Sequence, residues 1–350
     1  RMYARYAEPG LMVAVVLGGF LRFSRVGEYD NSYYTATVAS ALQNAHNFFF
    51  TSFDPVGLVM VDKPPISFWV QSFFPAIFGV SGWSITISQA IIGTLAIITL
   101  YWGISRVFGR LAGIVAALAL AVLPVSVVID SRNEPDSLLS FTLLLAAIAI
   151  IRAVQTCKWH WLIAFGLLMG IGFNTKMLVA FVPLPVFLLY YILAVNQPIR
   201  QTVVRVATTV LVLVVASASW AIVVSLTPSE SRPYVGSTQD NRIQTLVFEY
   251  NGINRFSSFI GPKPGQASMQ LSGGPSDQKG QFPPAAGPQT RGASQQYIPQ
   301  VVTLEVPDRG LLGLFSNPLA NQLGWFLPVG LLSLLLALLP SLSNEVYRRP

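Results

Sequence analysis

The chain has 350 residues, 53% of them apolar and only 11% charged, and a mean hydropathy of +0.56 is too high for a soluble domain, so a bilayer is its expected solvent. A single cysteine, Cys157, excludes an internal disulfide framework. The formal net charge of +7 does not point to nucleic acid, because the basic residues stand singly at the ends of apolar runs and none cluster among aromatic residues on one face; anionic lipid headgroups are the expected neighbours.

Arg1-Met-Tyr-Ala-Arg5 leads into an apolar run that no small-residue cleavage site follows, which reads as a retained anchor. Apolar windows long enough to cross the hydrocarbon core fall near 9–23, 84–105, 111–130, 137–155, 160–173, 177–195, 202–226 and 322–341. That predicts an all-α polytopic membrane protein of about eight spans. The apolar stretch 159–195 is divided at Asn174-Thr175-Lys176, since a lysine at the centre of one long span would cost several kcal/mol. With both termini cytoplasmic, Arg1, Arg5, Arg106, Arg110, Arg152, Lys158, Arg200, Arg205, Arg348 and Arg349 fall inside with only Glu8 and Glu345, and the other thirteen acids fall outside. This is the asymmetry of the positive-inside rule.

Two long segments are then external. In the first, 24–83, a helix over 31–43 puts Tyr34, Val38, Ala41 and Leu42 on one stripe, as a helix lying on a membrane surface would. A second surface or re-entrant helix over 65–80 is interrupted at Pro75. The other long segment, 227–320, is polar, and its Gly-, Pro-, Ser- and Gln-rich middle, 262–296, predicts a poorly ordered stretch. No internal repeat is present.

Four ionisable groups collect on the external side: Glu28 and Asp30; Asp62 and Lys63; the short turn Asp130-Ser-Arg132-Asn133-Glu134-Pro-Asp136; and Lys176. Lysine and arginine suit a lipid phosphate, and a carboxylate can deprotonate an acceptor hydroxyl. Negative charge growing on a departing phosphate is stabilised by cations or by a divalent metal. Each group also has a plain structural role open to it. Arg132 and Glu28 suit interfacial anchors, Asp62-Lys63 a local ion pair, Glu134 and Asp136 a helix N-terminus, and Lys176 a snorkelling lysine. His46 and His160 are too far apart in the chain to suggest a histidine metal site.

Asp30-Asn-Ser-Tyr-Tyr, His46-Asn-Phe-Phe-Phe-Thr-Ser-Phe-Asp54-Pro and Val61-Asp62-Lys63-Pro64-Pro65-x-x-Phe-Trp69 resemble the first external loop of bacterial family 39 GT-C glycosyltransferases, relatives of protein O-mannosyltransferases and of the lipid A aminoarabinose transferase. Arg132-Asn133-x-x-Asp136, Gly170-Ile-Gly-Phe-Asn174-Thr-Lys176-Met, Arg232-Pro-Tyr234-Val-Gly236 with Asp240-Asn241, and Tyr250-Asn-Gly252 extend the resemblance, which is greatest to the bacterial mannosyltransferase-like branch. It implies a GT-C-like bundle with surface helices in its first loop, in the bacterial inner membrane. It also implies inverting sugar transfer from a polyprenyl-phosphate donor on the extracytoplasmic side. By position, Asp30 is similar to the family's catalytic base. Asp62 and Lys63 sit where relatives place an acid, in some members a metal ligand, and a donor-phosphate lysine. Glu134 or Asp136 resembles the acid of the second external turn, and Lys176 a second phosphate lysine. Arg132, Asn133, Arg232 and Tyr234 are further candidates for substrate contact. Two departures stand out: the family's later C-terminal spans are not in this chain, and no histidine in 227–320 matches the metal-holding one of the aminoarabinose enzymes. The first leaves an alternative, a non-catalytic membrane subunit on the same scaffold that binds lipid or a partner protein complex.

Overall fold

The computed structural model describes residues 9–28 and 31–253. Among these residues the fold is all-α, with β pairing limited to two isolated bridges. α1 (Pro9–Phe23) leads into a loop region carrying α2 (Ser32–Ala41), α3 (Ala45–Phe50), α4 (Ile66–Gln71) and α5 (Phe73–Phe78). The bundle continues through α6 (Gly82–Phe108), α7 (Arg110–Val122), α8 (Pro124–Ile129), α9 (Asp136–Thr156), α10 (Trp159–Lys176), α11 (Leu184–Ala194) and α12 (Ile199–Leu226). Four stretches, Gly82–Phe108, Asp136–Thr156, Trp159–Phe181 and Ile199–Leu226, are long and apolar enough to cross a bilayer, making this a multi-pass membrane protein. The expected span 322–341 and the stretch 262–296 lie outside the described residues.

Two expected spans differ in form. The window 111–130 is two helices, because Pro124 has no N–H to continue α7 and Leu123 turns extended before it (φ −64°, ψ 113°). The window 177–195 opens with a 3-10 turn, Met177–Phe181, and α11 starts only after Pro183.

Small residues every fourth position let helices approach closely. On α1 the series is Gly10, Ala14, Gly18, and it ends in the buried Arg22. A Cβ at Gly18 would lie 2.3 Å from Ile97 Cδ1 of α6 and 3.0 Å from Ala121 Cβ of α7. On α10, Gly166 and Gly170 pack on α12 in the same way, and Asn174 one turn further on donates to Ala216 O (2.9 Å) and Ser217 O (3.2 Å).

The loop-side ends of α1, α8, α10 and α12 gather with the N-termini of α6 and α9. The other end of the bundle carries arginines against tryptophans: Arg106 stacks 3.6 Å from the Trp102 ring centroid, and Arg205 lies 5.2 Å from that of Trp159.

The stripe predicted on α2 exists, but it faces protein. Tyr34 and Val38 pack against Val61, Phe68 and Ile85, so α2 covers the loop region's own core and does not lie with its apolar side on a membrane. The 65–80 helix breaks at Ser72, not at Pro75. Pro75 sits in the first turn of α5, where no helical N–H is required.

Candidate active site

Asp62 and Lys63 are delivered by a short backbone ladder. Asp54 turns the chain by accepting the N–H groups of Leu58 (2.9 Å) and Val59 (2.8 Å). The returning strand then pairs on both sides: Phe53 N to Val59 O (2.9 Å) and Val61 N to Thr51 O (2.9 Å), Met60 N to Tyr234 O (2.8 Å) and Tyr234 N to Leu58 O (2.7 Å). Gly236 is required beside this ladder, because a Cβ there would stand 2.1 Å from Met60 O. α3 is fixed from above and below by indole donors, Trp69 to Phe48 O (2.8 Å) and Trp220 to Phe49 O (3.0 Å).

At the end of the ladder Asp62 and Lys63 form a buried ion pair, with 8% and 2% of their surface exposed. The π-helical segment Leu246–Ile253 closes over it. There Tyr250 donates to Asp62 Oδ2 (3.2 Å), its ring lies 5.6 Å from Lys63 Nζ, and Asn251 donates to Asp62 O (3.0 Å). The second carboxylate oxygen, Asp62 Oδ1, is buried without a hydrogen-bond partner among the described residues. Burial, and then the charge of Asp62, push the Tyr33 phenol up to about 12. Tyr33 therefore stays a neutral hydroxyl at any working pH.

A second ion pair joins α9 to α10. Lys176, the last residue of α10, reaches Asp136 at the start of α9, 2.5 Å to each carboxylate oxygen. Asp136 keeps about a third of its side-chain surface exposed. Beside this end of α10 is an apolar cavity of about 430 Å³. Phe173 and Leu178, which bracket Lys176 in sequence, line it together with Phe181, Leu213, Ala221 and Val247.

The Asp130–Asp136 turn divides its residues between different tasks. Asp130 points into the bundle and pairs with Arg22 (2.8 Å). Asn133 and Glu134 hold the first loop: Asn31 N–H donates to Asn133 Oδ1 (2.6 Å) and Asn31 Nδ2 to Glu134 Oε1 (3.1 Å). Arg132 and Glu28 are exposed. Asp30 lies outside the described residues. The Arg232 guanidinium bonds Thr227 O (3.2 Å), Pro233 O (3.3 Å), Asn241 Oδ1 (2.8 Å) and Asn241 O (2.8 Å), bracing its own loop. Tyr234 donates to Thr238 O (3.0 Å) in the same loop.

The structure thus brings Asp62, Lys63, Asp136 and Lys176 to one end of the bundle as two acid–lysine pairs. Tyr33, Tyr250 and Asn251 at the Asp62 pair were not among the site residues expected from sequence, although Asp30-Asn-Ser-Tyr-Tyr and Tyr250-Asn-Gly252 had both stood out as motifs. Among the described residues no three His, Cys, Asp or Glu side chains converge. Among the described residues Asp62 meets an ammonium and no further carboxylate, a donor set short of the several oxygens a divalent cation takes.

Residues 62–221 match the family described as dolichyl-phosphate-mannose-protein mannosyltransferase. Two Bacillus subtilis (strain 168) proteins are similar: "Putative mannosyltransferase YkcB", 39% identical over 71% of this chain, and "Putative mannosyltransferase YycA", 40% identical over 73%. The chain spans only 35% and 37% of their lengths. Among solved structures, ArnT from Cupriavidus metallidurans in the apo state matches with a TM-score of 0.50 at 21% identity, over 62% of this chain and 42% of that one. That likeness is one of fold.

Proposed function

We propose that this chain, similar over residues 62–221 to the dolichyl-phosphate-mannose-protein mannosyltransferase family and to the two Bacillus proteins, is part of a GT-C membrane glycosyltransferase that transfers a sugar from a polyprenyl-phosphate donor to an acceptor. The reaction takes place on the extracytoplasmic side of the bacterial plasma membrane. The observation that carries the donor class is Lys176 at the end of α10 beside a cavity of about 430 Å³ walled by Phe173, Leu178, Phe181 and Leu213. A lipid phosphate needs a cation for its head and an apolar channel for its tail, and Lys176 stands in the chain between two residues that wall the cavity, Phe173 and Leu178. The family description and the names of the Bacillus relatives support mannose as the first sugar to try.

In this reading Lys63 and Lys176 exchange their aspartate partners for donor phosphate oxygens. Asp30 takes the proton of the acceptor hydroxyl, and the acceptor oxygen forms a bond to the anomeric carbon from the face opposite the phosphate. The bond from that carbon to the phosphate oxygen breaks, its electron pair leaves with the polyprenyl phosphate, and the lysines stabilise the new charge. No step requires a metal. The Arg106, Arg152 and Arg205 end of the bundle then faces the cytoplasm, as the charge asymmetry of the sequence expects.

The test uses the full chain in lipid nanodiscs titrated with undecaprenyl phosphate. A charge-assisted contact contributes about 1.5–3 kcal/mol, so Lys63→Ala and Lys176→Ala are each expected to weaken binding by about tenfold or more. Asp30→Asn is expected to retain binding and lose transfer from polyprenyl-phosphate mannose. Unchanged affinity in both lysine variants would overturn the phosphate site, and turnover in Asp30→Asn would remove it as base.

A further inference from the structure

We propose that Asn133 is a positioning residue for sugar transfer, a clamp on the first loop and not a contact to substrate; this rests on the glycosyltransferase reading above. Its side chain is fully buried, and every polar hydrogen and the oxygen of its amide are engaged. Oδ1 accepts the N–H of Asn31 (2.6 Å), while Nδ2 donates to Asn31 O (3.1 Å) and to Thr35 Oγ1 (3.1 Å). The pairing with both backbone groups of Asn31 fixes which amide atom is which, since the flipped amide would set oxygen against carbonyl and N–H against N–H. Nothing of this side chain is left to offer a sugar or a phosphate.

The arrangement joins three segments that carry candidate chemistry. Asn31 follows Asp30, the residue assigned as base, and its own side chain caps α2 at Tyr33 N (3.1 Å). The backbone carbonyl of Asn133 accepts Gln71 Nε2 (3.1 Å), whose other bond is to Ser67 (2.9 Å) of α4, the helix that begins just after Lys63-Pro64-Pro65. Glu134, next in the chain, accepts the Asn31 amide (3.1 Å), and Asp136 beyond it holds Lys176 (2.5 Å). One buried amide therefore sets the loop that follows Asp30 against the turn that holds Lys176. Proton abstraction is sensitive to placement at the scale of an ångström, whereas donor affinity rests on the lysines and the apolar cavity.

The experiment compares wild type, Asn133→Asp and Thr35→Val, each as the full chain in nanodiscs. Asn133→Asp keeps size and the acceptor for Asn31 N–H but puts an oxygen against the Asn31 carbonyl. Thr35→Val removes one bond of three and serves if the first variant does not fold. Expected are a fall in kcat of about thirtyfold for Asn133→Asp and about threefold for Thr35→Val. Undecaprenyl phosphate affinity should change less than about twofold in both. Hydrogen exchange should rise at 31–35 but not in α9 or α10. Raised exchange with unchanged kcat would make the clamp merely structural and overturn the proposal. Weakened donor affinity with intact kcat would make Asn133 a substrate contact and overturn it too. A wild-type protein that binds no polyprenyl phosphate and transfers no sugar would sink the glycosyltransferase reading first, and this role with it.

Discussion

Two kinds of acid–base pair share this molecule, and they differ in how completely their atoms are used. Between α1 and α8, Arg22 donates to Asp130 Oδ2 (2.8 Å), Gly18 O (3.0 Å), Ala121 O (3.1 Å), Leu120 O (3.1 Å) and Ser126 Oγ (2.9 Å). That is every N–H a guanidinium has. Ser126 adds a second bond to the same carboxylate (2.9 Å). Gly93 leaves the space, since a Cβ there would lie 2.3 Å from Asp130 Oδ2. At the loop-side end, by contrast, Asp62 keeps a buried oxygen with no partner among the described residues, and the Lys176–Asp136 pair is partly open to solvent. The Arg22 guanidinium has no N–H left for a ligand, whereas the buried Asp62 Oδ1 can still accept a hydrogen bond from one.

Breaking the buried Arg22–Asp130 pair should have the largest effect on stability. Arg22→Ala leaves the Asp130 carboxylate buried without a counter-charge, which costs about 3–5 kcal/mol. Thermal unfolding in detergent should show it as a large loss of stability, with little folded protein recovered. The double variant Arg22→Met/Asp130→Leu removes both charges and should recover most of that loss. If the double variant is as unstable as the single one, the pair contributes more than the avoidance of an orphaned charge, and the contrast drawn above fails.

Lys176→Met sharpens the same contrast from the other side. The side chains of Lys176 and Asp136 are 14% and 31% exposed, and a partly solvated pair contributes about 0–1 kcal/mol. Its unfolding temperature should stay near that of wild type, even where donor binding is lost. A large drop would place Lys176 with Arg22 as a structural residue.

How much of this was legible in the sequence follows from the range of each interaction. Apolar runs are local, so α1 emerged at 9–23 and α12 within a few residues of 202–226. Asp62 and Lys63 are adjacent, and their pairing was open to a local reading. Lys176 was singled out because a lysine is costly inside an apolar run, but Asp136 as its partner, forty residues away, follows only from the antiparallel packing of α9 on α10. Arg22 and Asp130 are separated by 108 residues and Asn31 and Asn133 by 102, distances over which no periodicity carries information. One usable signal was missed. The series Gly10, Ala14, Gly18, Arg22 announces a close helix contact that ends in a buried cation, and a buried arginine demands a carboxylate somewhere. α3 was missed for another reason. Its six residues are too few to show a period, and the cap that starts it, Asn44 Oδ1 accepting Asn47 N–H (2.8 Å), is a single polar residue among many.

The smallest effect belongs to a third kind of carboxylate, one whose partners are backbone amides. Burial on its own would raise the Asp54 pKa, but the N–H groups of Leu58, Val59, Gly57 and Val56 together outweigh it and hold the group below the usual carboxylate range. Because the folded value lies below the unfolded one of about 3.9, the stabilisation is complete above that pH and is lost as the pH falls through the folded value. Asp54 shapes the turn that delivers the ladder to Asp62, so the loss should appear locally. Hydrogen exchange at Val59–Val61, corrected for its intrinsic pH dependence, should rise below about pH 4 in wild type. In Asp54→Asn it should already be raised and flat across the same range. Identical profiles in the two proteins would mean that Asp54 is not what holds the turn, and that the ladder stands on its pairing with Thr51 and Tyr234 alone.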